Sequence, residues 1–184
     1  MKNDIKTLTI KTLFILVCAL ALTLWLCKVR ADRQQEAKQE RFQAGMRIDA
    51  LMRSHDFQNL YPCLDSLHRV YPQDPMFYTL EGMAHDYQGD RTQARKAFAK
   101  AIELYDALIS TKHHWDGRVS RACVILFRDG KMAYHLALDE VLTHATTQKE
   151  KDEVKFFRDM DYDNLLKQSF GEPVKAKITE EEYY

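Results

Sequence analysis

The densest run of residues able to do acid–base or metal chemistry is His113-His114-Trp115-Asp116. Imidazole and carboxylate groups can hold a divalent cation, but a site needs three or four of them converging. Side chains of neighbouring helical residues point apart, so this run reads as structural or superficial. A metal or catalytic reading would rest on His113, His114 and Asp116 alone. The chain has four cysteines. Cys18 and Cys27 lie in an apolar stretch. Cys63 and Cys123 lie on helical stripes, where they read as two small buried residues or, in an oxidising compartment, as a pair. The chain holds no Cys-x-x-Cys, no His-Glu-x-x-His, no phosphate-cradling Gly-rich loop and no Gly-x-Ser-x-Gly. The expectation is a protein that is not an enzyme, with no catalytic residues, metal or cofactor.

The elements that position these residues are helical. The 184 residues include 27 basic and 27 acidic side chains but only six Gly and four Pro. This is the composition of an all-α chain with few breakers. Charge balance argues against a nucleic-acid partner, which would call for a basic excess. A domain of about 140 residues after the apolar N-terminus is long enough for a core.

The most informative stretch is residues 77–106. Ala94, Ala97, Phe98, Ala101, Ile102, Leu104 and Tyr105 recur at three- and four-residue spacing and make one apolar stripe. Phe77, Leu80, Met83, Ala84 and Tyr87 do the same just before it. Gly82 inside a helix costs about 1 kcal/mol relative to Ala, so its presence predicts a close helix contact. Gly89 can end the first helix in the left-handed conformation, and Asp90 can cap the second. The stretch is therefore expected to form a helical hairpin. Thirty-four residues earlier, Leu60, Leu64 and Leu67 stand at the places of Ala94, Phe98 and Ala101, and Asp56 at that of Asp90.

This order resembles the tetratricopeptide repeat, a helical-hairpin unit of about 34 residues that stacks into a solenoid. Gly82, Ala94, Phe98 and Ala101 match the small and aromatic positions of that family, and Gly89-Asp90 its turn. Glu81, His85 and Asp106 depart from it, where Leu, Tyr and Pro are usual. The resemblance implies repeats over residues 41–74 and 75–108. It implies packing roles for Leu60, Leu64, Leu67, Gly82, Ala94, Phe98 and Ala101. It also implies a concave groove along the first helices of the repeats, with Asp49, Met52, Arg53, Thr79, Met83, Asp86 and Tyr87 facing a partner peptide or helix. Phe42, Gly45 and Met76 border that set.

Taken in order, residues 1–12 are polar. Residues 13–27 carry no charge, and Lys28, Arg30 and Arg33 follow. A basic start before a short apolar run is the form of an export signal. A span needs about 20 apolar residues; Thr12 and snorkelling by Lys11 and Lys28 bring this run near that length. Residues 13–30 are read as an uncleaved signal anchor, with a cleaved signal and a lipidated Cys27 as alternatives. The domain is expected on the periplasmic side of a bacterial inner membrane, and residues 31–40 as a polar stalk. In the first repeat, Phe42, Met46, Ala50 and Leu51 are expected inward. A degenerate third hairpin spans residues 114–145, with Val119, Ala122, Cys123, Leu126 and Phe127 facing Met132, Ala133, Leu136, Ala137, Val141 and Leu142. A Thr147/Glu150 capping box opens a charged segment over residues 147–170 that is expected to cap the end of the stack. Residues 171–184 read as a disordered tail.

The function expected from this reading is a membrane-tethered, non-enzymatic scaffold with a tetratricopeptide-like all-α fold, binding another protein in its groove. The alternative is a dedicated module that neutralises one cognate protein, as an immunity factor does. The oligomeric state is open at this point.

Overall fold

The computed structural model describes residues 2–111 and 114–172, with side chains described at residue 23 and from residue 25 onward. His113, the tail after residue 172 and the side chains of most of the apolar run lie outside that set. Among the described residues all regular structure is helical: α1 (Lys2–Arg53), α2 (Phe57–Val70), α3 (Pro75–Tyr87), α4 (Arg91–Thr111), α5 (Trp115–Asp129), α6 (Lys131–Thr143), α7 (Gln148–Arg158) and α8 (Tyr162–Ser169). The chain divides into two units, Met1–Ala44 and Gly45–Tyr184. Among the described residues no helix is long and apolar enough to cross a membrane.

Within the second unit each helix from α2 to α7 packs on the next in sequence. Two turns repeat the same chemistry 34 positions apart. His55 and Gly89 take left-handed backbone, at φ 55° and 83°. Asp56 and Asp90 then cap the helices that follow, accepting from the Asn59 and Gln93 amides at 3.3 and 3.1 Å. Each cap satisfies an amide that the first turn of a helix leaves without a partner.

The core runs through the hairpin of α3 and α4. Phe77, Met83, Ala84, Ala94, Phe98, Ala101 and Leu104 are buried, as are Leu60 and Leu64 of α2. Gly82 is the point of closest approach: a Cβ there would stand 2.5 Å from Cδ1 of Phe98. Only glycine admits the Phe98 ring at that crossing.

Two stripes differ from expectation. On α1, Ile48 and Met52 are buried, while Phe42 and Met46 are exposed and Ala50 also faces outward. Met76 of α3 packs beside Gly45, 3.5 Å from where a Cβ would stand, on the same face as Ile48 and Met52. On α6, Met132 and Leu136 are exposed, Leu142 is largely so, and Tyr134 and Leu138 are fully buried beside Ala137 and Val141. Tyr134 turns inward because its O–H donates to the Phe157 carbonyl at 2.6 Å, which ties α6 to α7. A search for purely apolar stripes passes over such a tyrosine, whose ring buries well once its hydroxyl is satisfied. Trp115 Nε1 ties α5 to α7 by donating to Glu153 at 2.8 Å.

The start of α7 is a capping box. The Glu150 carboxylate accepts from the backbone amides of Thr146 at 2.7 Å and Thr147 at 2.9 Å. The Thr147 hydroxyl accepts in return from the Glu150 amide at 3.2 Å. These bonds, the Thr146 amide foremost, hold the Glu150 carboxyl down at about 2 from an ordinary 4.5. A depressed carboxyl stabilises the fold above its unfolded value and loses that contribution as pH falls through its folded value. The melting temperature of the wild-type chain is therefore expected to exceed that of Glu150→Gln at neutral pH. The gap should close between about pH 4.5 and about 2. A gap independent of pH across that window would refute the capping role.

Candidate partner-binding site

The left-handed turn after α1 and the end of α3 bring rings to one edge of the second unit. His55 occupies the left-handed position of the first turn, and Phe57 opens α2. Tyr87 closes α3. The centroids of His55 and Phe57 lie 5.3 and 6.0 Å from that of Tyr87. Positive φ at a non-glycine residue is uncommon, and His is among the residues that tolerate it best. A glycine would make this turn with less strain but would contribute no ring.

The three rings enclose Phe170. It stacks on Tyr87 at 3.9 Å and 14°, and stands 5.9 and 6.0 Å from Phe57 and His55. Its side chain is wholly buried. Gly171 follows at φ 72°, where a Cβ would sit 3.6 Å from the carbonyl oxygen of Arg53. The Tyr87 hydroxyl then donates to the Glu172 carboxylate. That bond is the first cause raising the Tyr87 phenol to about 12.

The helix that delivers Phe170 is held only lightly. The eight residues of α8 include no buried side chain. Asp161 caps it by accepting from the Asn164 amide at 3.0 Å. Tyr162 meets Phe127 of α5 edge-on at 5.5 Å. So α8 does not continue the line of α7. It turns back at Asp161 toward the ends of α1, α3 and α5. The reason is an aromatic docking place at each of its ends.

Beside Tyr162 lies a cavity of about 220 Å³, with Asp86, Arg91, Arg95, Phe127 and Arg128 in its walls. Three arginines and one aspartate contribute to its lining. Arg128 also chelates Asp129 at 2.7–3.0 Å. Burial pushes the Asp86 carboxyl above its ordinary value, Arg91 opposes that shift and Asp163 of α8 adds to it.

Of the residues expected to face a groove, Arg53, Asp86 and Tyr87 come together here. Asp49 accepts from Nε of Arg53 at 2.9 Å, one helical turn away. Met52 and Met83 are buried in the core and present nothing to a partner. Both lie on the faces of α1 and α3 that pack inward, Met83 between buried Gly82 and Ala84. Thr79 donates to the Pro75 carbonyl at 2.9 Å within its own helix. Leu60, Leu64, Gly82, Ala94, Phe98 and Ala101 are all buried, and Leu67 is half-buried. His55, Phe57 and Glu172 lie outside the apolar pattern, while Phe170 is the last apolar residue of the segment 147–170 read as a cap. Phe57 stands directly after a capping Asp, and Phe170 directly before a glycine. Both are positions that pattern counting assigns to helix ends.

Glu81 and His85, which depart from the repeat pattern, lie in a polar seam between α2 and α3. His68 Nε2 meets Glu81 at 3.0 Å, and its ring stacks on Tyr78 at 4.0 Å. His85 stacks on Tyr61 at 4.7 Å, and the Tyr61 hydroxyl donates to Gln88 at 2.5 Å. Glu81 thus meets His68 at hydrogen-bond distance and His85 at 3.9 Å where the pattern expects apolar contact.

His114 caps α5 by accepting from the Gly117 amide at 3.2 Å. Among the described residues no three His, Cys, Asp or Glu side chains converge on a metal-sized site. Cys27, Cys63 and Cys123 are free thiols. Burial pushes the Cys123 thiol up to about 11, away from reactive thiolate. No family model, curated protein or solved structure matches the chain. The functional reading therefore rests on the site itself, an aromatic cleft beside an arginine-lined cavity that takes an aromatic residue followed by an acid.

Proposed function

We propose that this chain is a non-enzymatic, membrane-tethered interaction scaffold with tetratricopeptide-like repeats, and that it holds a segment of another protein at the cleft of His55, Phe57 and Tyr87. One observation carries the reading: the cleft already binds a peptide segment through a buried aromatic ring and a carboxylate. The two turns related by 34 positions and the Gly82–Phe98 contact support the repeat assignment. The fifteen uncharged residues 13–27 support the tether, with the domain on the periplasmic side of a bacterial inner membrane. Peptide recognition in such grooves uses a few side-chain anchors on preformed helices, and the rigid rings of the cleft are anchors of that kind.

The test is photo-crosslinking in intact cells from a benzophenone amino acid placed at position 87, with position 156 as control. Phe156 is 74% exposed and belongs to α7, so a crosslinker there reports chance encounters. A discrete adduct from position 87 that is missing from position 156 is expected, and its partner is identified by mass. The same adducts from both positions, or none from position 87, would overturn the reading.

A further inference from the structure

The cleft and its occupant belong to one chain, and the manner of attachment separates them. No side chain along the eight residues of helix α8 is fully buried, and Leu165 and Leu166 are half-buried. It is fastened at its two ends, by Tyr162 against Phe127 and by Phe170 and Glu172 against Tyr87. The elements beneath it, α3 to α5, carry a continuous core of their own. A segment with few buried contacts opens locally at far lower cost than the domain unfolds. Its departure would uncover three rings at once, an apolar surface of the kind that marks an interaction site.

The occupant also specifies what can replace it. It opens with the aromatic Tyr162, which lines the cavity of Arg91, Arg95 and Arg128. Eight residues after Tyr162 it presents an aromatic ring, then a glycine against the Arg53 backbone, then a carboxylate for the Tyr87 hydroxyl. Resting on the partner-holding role proposed above, we infer that residues 162–172 are a displaceable resident of the cleft. Its competitor is a segment of another protein with an aromatic helical start and an aromatic–small–acidic end. The free chain is then self-occluded, and partner capture exchanges one such segment for another. A ligand that must displace a resident binds with an affinity lowered by the fraction of time the site is open.

The experiment uses a fluorescein-labelled peptide of residues 162–172 as the probe and the full chain in detergent as the receptor. Anisotropy is compared for wild type and Phe170→Ala. The peptide is expected to bind Phe170→Ala at least about tenfold more tightly than wild type, and a peptide with Ala in place of its Phe is expected to bind neither. In wild type, amide hydrogens of α8 are expected to exchange at least about a hundredfold faster than those of α4. Exchange in α8 as slow as in α4, or loss of the cooperative melt in Phe170→Ala, would make α8 part of the core and overturn the inference. Failure of the peptide to bind folded Phe170→Ala would overturn it as well. The crosslink from position 87 then decides separately whether the cleft holds a partner. Doubled mass by light scattering for wild type, lost in Phe170→Ala, would make a second copy of this chain the occupant and overturn the choice of another protein.

Discussion

Gly82→Val is expected to destabilise the second unit by about 3 kcal/mol or more, enough to leave a marginal domain largely unfolded. The added Cβ would stand 2.5 Å from Cδ1 and 2.9 Å from Cζ of Phe98. The ring has nowhere to retreat, since it is 1% exposed and stacks on Phe127 at 5.6 Å. Even Gly82→Ala should be less stable than wild type, although alanine gains about 1 kcal/mol of helix propensity over glycine. Adding Phe98→Leu to Gly82→Ala should recover part of the loss, because the two sites share one contact and couple by about 0.5–3 kcal/mol. Urea unfolding of wild type and the three variants decides the matter. A Gly82→Ala chain more stable than wild type would show that α3 and α4 do not meet at this point.

Tyr87→Ala is expected to have the largest effect on binding. The variant loses a ring stacked at 3.9 Å and a hydroxyl that donates to a carboxylate. An aromatic pair contributes about 0.5–1.5 kcal/mol beyond its area, and a hydrogen bond to a charged group about 1.5–3 kcal/mol. Together these weaken the segment's hold by about 30- to 1000-fold. Tyr87→Phe keeps the stack and loses only the hydroxyl, so its effect should be smaller. Both variants should retain the cooperative melt of α3 to α5, because Tyr87 is only partly buried at the edge of that core. Equal binding of the labelled peptide by Tyr87→Ala and Tyr87→Phe in a Phe170→Ala background would assign the contribution of Tyr87 to its hydroxyl alone and contradict the ring as an anchor.

The helical class and the central hairpin were legible because their signals are local. Gly82 with Phe98, Gly89 with Asp90 and the Thr147/Glu150 box each act within one contact or one turn. The inward face of α1 was not legible, since Phe42 and Met46 have the same spacing as Ile48 and Met52. Which pair is covered is set by tertiary packing, with Met76 of α3 beside Gly45 on the face of Ile48 and Met52. The face of α6 was misjudged because Tyr134 buries through a hydroxyl bond to α7, a partner that periodicity does not reveal. The cleft was half legible. Arg53, Asp86 and Tyr87 are expected at a groove from the resemblance to a repeat, but the return of Phe170 to Tyr87 joins residues 83 positions apart. No local rule of spacing specifies such a contact. The expected groove residues Met52 and Met83 were lost to the core for the same reason, since a helix in a layered fold has more than one buried face.

The most direct test of the whole account is hydrogen exchange on the chain in complex with the partner captured from position 87. Partner binding is predicted to slow exchange at His55–Phe57 and Asp86–Arg91 while speeding it throughout Tyr162–Glu172, as the resident segment leaves. Protection that falls elsewhere on the unit, with residues 162–172 unchanged, would contradict the account.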